Sequence, residues 1–78
     1  MKKNKYHYTV EGIDGIVYGT GTVDRMNGEI AADLVWENLP TNDSVIGWDG
    51  DKKALQEMCF TVAVSNSDDY YVTFAVAE

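Results

Sequence analysis

The sequence predicts a small α+β domain: an antiparallel sheet of two hairpins, in the order β-β-α-β-β, with one main helix packed on one face. Three observations predict it. Alternating β-branched and aromatic residues flank the turn dipeptide Asp14-Gly15. A second alternating pair flanks the run of turn formers at 65–69. Between the two pairs a single stretch, Glu29–Leu39, repeats its apolar residues at helical spacing. A chain of 78 residues makes one domain, 1–78, and most of its large apolar side chains must enter a single core.

The first hairpin joins Lys5–Ile13 to Ile16–Asp24. A two-residue type I′ turn at Asp14-Gly15 pairs Ile13 with Ile16, Val10 with Gly19, Tyr8 with Gly21 and Tyr6 with Val23. One face then carries Tyr6, Tyr8, Val10, Val17 and Val23, and the other His7, Thr9, Glu11, Tyr18, Thr20 and Thr22. Gly19 and Gly21 fall on the core face, where glycine marks the close approach of another element: either the rings of Tyr6 and Tyr8, or a helix.

Asn27 caps the helix Glu29–Leu39, Glu29 suits its positive N-terminal end and Pro40 stops it. Ile30, Ala31, Leu34, Val35 and Leu39 make its apolar stripe. A short second helix is expected over Asp51 to about Met58, with Ala54 and Leu55 inward, although Gln56–Val64 also alternates like a strand. The second hairpin joins Met58–Val64 to Tyr70–Ala77. A five-residue loop pairs Val64 with Tyr70, Val62 with Val72, Phe60 with Phe74 and Met58 with Val76. Its reverse face, with Ala63, Ala75 and Ala77, is small and only weakly polar, so a second layer or a partner should cover it.

Composition narrows the function. The formal net charge is −7, and three of the six bases are Lys2, Lys3 and Lys5. Residues 6–78 set all 13 acids against Arg25, Lys52 and Lys53, a formal −10. Such a body repels DNA and RNA and attracts basic partners, although the charge also serves solubility alone. Cys59 stands alone and forms no internal disulfide. No apolar run reaches the roughly 18–20 residues of a membrane span. The basic N-terminus lacks the apolar segment of a signal peptide, so a cytoplasmic location is expected.

Catalysis and cofactors are not expected. A core this small leaves little room for a substrate cleft. His7 and Cys59 meet only if their strands are neighbours, and they lack an orienting third group. Zinc spacing is absent, and Asp43, Asp49, Gly50 and Asp51 lack the spacing of a calcium loop; Asp49-Gly50-Asp51 reads as a turn and N-cap. Gly19-Thr20-Gly21 lies inside a strand pattern and cradles no phosphate.

The helix carries more information. Glu29, Asp33 and Glu37 recur every four residues along its outer side, with no Lys or Arg in the helix to relieve them. Like charges at this spacing destabilise a helix by a few tenths of a kcal/mol per pair, so stability alone does not favour the arrangement. At about 100° per residue, Trp36 projects almost over Glu29, off the apolar stripe. A tryptophan among carboxylates is an interface anchor, or a margin residue folded over a sheet edge. Trp48 lies in the loop-like stretch Thr41–Lys53, between Asp43 and Asp49-Gly50-Asp51, where it either plugs the core or offers a second contact.

In charge and architecture the chain resembles the small acidic inhibitors encoded by phages and mobile elements, including anti-CRISPR proteins and other nucleic-acid mimics. The residues that carry the resemblance are the Glu29/Asp33/Glu37 line, the loop acids Asp43, Asp49 and Asp51, and Asp68-Asp69. It implies a non-catalytic inhibitor occupying a basic, nucleic-acid-binding groove on a host-defence complex, in the host-cell cytoplasm. Carboxylates one helical turn apart, about 6 Å, sit near the spacing of phosphates along a strand. The expected contact set is Glu29, Asp33, Trp36, Glu37, Asp43, Trp48, Asp49 and Asp51. The alternative is a structural or regulatory homodimer joined through the alanine face or an exposed strand edge.

Overall fold

A computed structural model describes residues 5–39 and 43–77. Pro40, expected to end the helix, lies outside them, as do Lys2 and Lys3. The chain is an α+β domain with seven elements: β1 (Lys5–Gly12), β2 (Val17–Val23), α1 (Gly28–Asn38), β3 (Val45–Trp48), α2 (Lys52–Glu57), β4 (Cys59–Val64) and β5 (Tyr70–Ala77). The five strands form one antiparallel sheet in the order β2-β1-β5-β4-β3. The expected order β-β-α-β-β therefore lacked one strand, while α2 lies where the short second helix was expected. The missing strand, β3, has four residues inside the stretch expected to be loop, too short for alternation to declare itself.

The first hairpin keeps the expected pairs Val10 with Gly19, Tyr8 with Gly21 and Tyr6 with Val23, but closes differently. Gly15 alone of the turn has positive φ, at 82°. Its N–H donates to the Gly12 carbonyl at 3.0 Å, and the Gly12 N–H donates to the Ile16 carbonyl at 3.0 Å. This is a three-residue loop ending in a left-handed glycine, in place of the two-residue turn. The extra loop residue shifts the register, so Glu11 pairs with Val17, and a bulge at Tyr18 restores it. The bulge also corrects the facing of two residues. Val17, expected in the core, is 52% exposed. Tyr18, expected on the outer face, is half-buried with its ring 5.3 Å from that of Tyr70. Tyr18→Ala is thus expected to cost about 1–3 kcal/mol of stability and Val17→Ala under about 0.5, read by urea unfolding. The reverse ranking would put the bulge in the wrong place.

The second hairpin pairs Phe60 with Val72 and Val62 with Tyr70, two residues away from the expected register. The reason lies at the end of β4. Val64 pairs with Val45 of β3, and the Ser65 N–H donates to the Ser44 carbonyl at 2.9 Å. Those residues are claimed by β3, so the connection to β5 lengthens. A slip of two preserves which side chains face inward.

The core lies between α1 and one face of the sheet. Val10, Phe60, Val62, Val64, Tyr70, Val72 and Phe74 meet Ala31, Ala32, Leu34 and Val35 of α1 and Ala54 of α2. Tyr8, expected there, is half-buried at its margin, and Leu55 of α2 is 40% exposed. Asn27 caps α1, its Oδ1 accepting from the Ile30 N–H at 2.8 Å. Asp51 caps α2 likewise through the Ala54 N–H, and Met58 ends it in the left-handed conformation, φ 56°. Both forms of close approach occur at the core-face glycines: a Cβ at Gly21 would strike the Tyr8 ring, and one at Gly19 the Asn38 amide. No helix among the described residues is long and apolar enough to cross a membrane.

Candidate binding surface

Burial of one side of α1 decides what the other side shows. Gly28, Ala31, Ala32, Leu34 and Val35 are buried, whereas Glu29, Asp33, Trp36 and Glu37 are exposed. Trp36 is 64% exposed, so its indole does not fold over the sheet edge. No basic residue stands in the last turn of α1.

Gly28 fixes where this face lies. A Cβ there would collide with the Asp49 backbone carbonyl and stand 2.6 Å from Cδ1 of Trp48, so the N-terminus of α1 rests directly on the end of β3. At the other end Asn38 stands over Gly19 of β2. The helix therefore crosses the sheet from one edge strand to the other. Gly28, Ala32 and Trp36 are spaced four apart and form one row along it. Trp48 packs at the start of that row and remains 50% exposed, and Trp36 ends it about 12 Å further along the axis. The two indoles thus flank one border of the acidic line. Trp48 belongs to an edge strand, not to a loop.

The loop acids are different. Asp49 accepts from the Thr61 N–H at 2.8 Å, and its own N–H donates to the Thr61 carbonyl at 3.0 Å, extending the β3–β4 ladder. Asp51 Oδ1 is occupied as the cap of α2. Asp43 is half-buried and engaged within the chain. The carboxylates of Asp49 and Asp51 thus hold the fold, and the members of the expected set with no such bond to the backbone that lie exposed are Glu29, Asp33, Trp36, Glu37 and Trp48. Ile46, the extra residue of a bulge in β3, is 68% exposed beside Trp48 and was not anticipated. Its only sequence signal was the short apolar pair Val45-Ile46 among turn formers.

The remaining candidate chemistry is dispersed. β5 lies between β1 and β4, so His7 and Cys59 stand on strands about 10 Å apart. Partial burial, then Asp49, Glu57 and Glu11, push the Cys59 thiol above its ordinary pKa, the opposite of an activated nucleophile. A shallow notch of about 90 Å³ joins the first hairpin's tip to the β4–β5 connection, lined by Asp14, Tyr18, Asp68, Asp69 and Tyr70 among others. It is well below the roughly 300 Å³ of a small-molecule site. Its partial burial and the neighbouring Asp14 carboxylate push the Tyr18 phenol up. Among the described residues no three His, Cys, Asp or Glu side chains converge on a metal position.

No family model matches the chain, no curated protein matches its sequence, and no solved structure matches it.

Proposed function

We propose that this chain is a non-catalytic inhibitor that uses the outer face of α1 to occupy a basic, nucleic-acid-binding surface on another protein, a host-defence complex of the CRISPR type being the partner that the acidic-inhibitor resemblance favours. One observation carries the reading: Trp36 is 64% exposed between carboxylates that repeat at one helical turn. A solvated indole and an unrelieved like-charge row both act against the stability of an isolated helix, and both act in favour of docking on a lysine- and arginine-rich groove. Trp48, at the far end of the same border, supplies a second apolar contact.

The test uses purified CRISPR effector complexes, with and without bound nucleic acid, and titrates this protein against each. The expected result is binding that competes with nucleic acid and weakens as salt rises. Trp36→Ala should lower affinity by about 30-fold, roughly 2 kcal/mol, with little change in melting temperature. Loss of melting temperature with unchanged affinity would instead make Trp36 a packing residue and sink the proposal.

A further inference from the structure

Among the described residues nothing covers the face of the sheet opposite α1. Both helices feed the core on the other side, and Thr20, Thr22, Tyr71, Thr73 and Ala75 are all exposed. This face is also nearly free of charge. Among the described residues it carries by strand register one lysine, Lys5, and one carboxylate, Glu11; at its margin stand Asp49, with an oxygen turned back to the Thr61 amide, and Glu57, close enough to act on the Cys59 thiol. Charge depletion of this kind distinguishes the centre of an interface from an ordinary surface.

We infer that the bare face joins a second copy of this chain in a face-to-face two-fold dimer. The arrangement of its residues is self-complementary. In register, Lys5 stands beside Ala77, His7 beside Ala75, Thr9 beside Thr73 and Glu11 beside Tyr71. A two-fold axis lying across the strands, midway between the His7 and Thr9 rows, inverts that sequence of rows on the facing sheet. It sets Lys5 over the partner's Glu11 and Tyr71, the bulkiest side chain of the face, over the partner's Ala77. Ala75 then meets the partner's Thr73. The single lysine, the single carboxylate, the large ring and the small residue all find their complements under one operation, as an isologous interface requires. The angle of about 30° between packed sheets displaces the Lys5–Glu11 pair by only a few ångströms, within reach of both side chains.

The acidic line of α1 does not oppose this assembly. α1 lies outside each sheet, so the two Glu29/Asp33/Glu37 lines face away from each other across two sheets and two helices, on the order of 30 Å, well beyond the screening length of about 8 Å at physiological salt. The face-to-face contact is made by β1 and β5 with four rows each and β2 with three, about 400 Å² per copy, below the usual size of a specific interface, so the dimer should be weak and concentration-dependent. The inference stands apart from the proposed partner, which engages the opposite side.

Sedimentation equilibrium of the whole chain from about 5 µM to 1 mM tests it. The wild type is expected to shift from monomer to dimer over that range. Lys5→Glu and Glu11→Lys should each weaken the dimer at least tenfold, and the double exchange should restore it to within about threefold. Glu11→Lys decides the matter. It reduces net charge from −7 to −5, so general repulsion predicts a tighter dimer, whereas the specific pair predicts a weaker one. Ala75→Lys, at an exposed outward position, should give monomer with an unchanged circular dichroism spectrum. A wild type that stays monomeric at 1 mM, a tighter Glu11→Lys dimer, or no restoration in the double variant each overturns the inference; in the first case the face is left for another partner or for solvent.

Discussion

Changing Glu29, Asp33 and Glu37 together to lysine is expected to abolish binding to a basic surface, an affinity loss on the order of 1,000-fold or about 4 kcal/mol. The size follows from reversing three charges at once against lysines and arginines, which turns attraction into repulsion at every position. The fold should survive, because all three side chains are exposed and none of them caps a helix or pairs within the core. Two local effects nearly cancel. Removing Glu29 from the first turn of α1 forfeits about 0.3–1 kcal/mol with the helix dipole, while net charge falls from −7 to −1 and self-repulsion with it. Matched thermal melts and binding isotherms check both halves. Tight binding by a folded triple variant rules out this face. The carboxylates would then be solubilising charge, and Trp48 with Ile46 on the β3 edge would be the next surface to probe.

What could be read in advance depended on how local the deciding forces were. Asn27 and Asp51 announce their helices because a cap is made within three residues of itself. The alternation in β4 and β5 identifies the inward side chains, since a slip of two residues leaves the facing unchanged. The register itself was settled elsewhere, by β3 taking Val64 and Ser65. A four-residue edge strand has no periodicity of its own and exists because β4 offers it a free edge. Val17 and Tyr18 exchanged roles for a similar reason. Asp14-Gly15 fits a two- or a three-residue loop, and the bulge that reconciles the loop with the Gly19–Val10 pairing is decided by packing of Tyr18 on Tyr70.

The binding surface divides along the same line. Helical projection suffices to place Glu29, Asp33, Trp36 and Glu37 outside, because it needs only the pitch of a helix whose buried side is known. The roles of Asp43, Asp49 and Asp51 could not be projected, since loop carboxylates are equally suited to contacting a partner and to satisfying backbone N–H groups. In this chain the ladder to Thr61 and the cap of α2 take precedence for two of them.

Phe60→Ala is expected to be the most destabilising single substitution in the sheet, at about 3–5 kcal/mol. Phe60 is 0% exposed, and its ring stands edge-on to Phe74 at 5.6 Å, which in turn stands edge-on to Tyr6 at 6.4 Å. Truncation removes the middle of the core and the first member of this aromatic chain, leaving a cavity that the flanking strands β3 and β5 cannot close without breaking their ladders. A domain of this length has only about 4–12 kcal/mol of total stability. The melting temperature should therefore fall by more than about 12 °C, and a substantial fraction should be unfolded at 37 °C. The control is Thr73→Ala, adjacent in sequence to Phe74 but on the bare face and exposed. It should change stability by less than about 0.5 kcal/mol. Chemical denaturation of the two variants side by side reads the inward and outward faces of the sheet separately. A loss at Thr73 equal to that at Phe60 would mean that the bare face is packed even in the monomer, and that the core lies on both sides of the sheet.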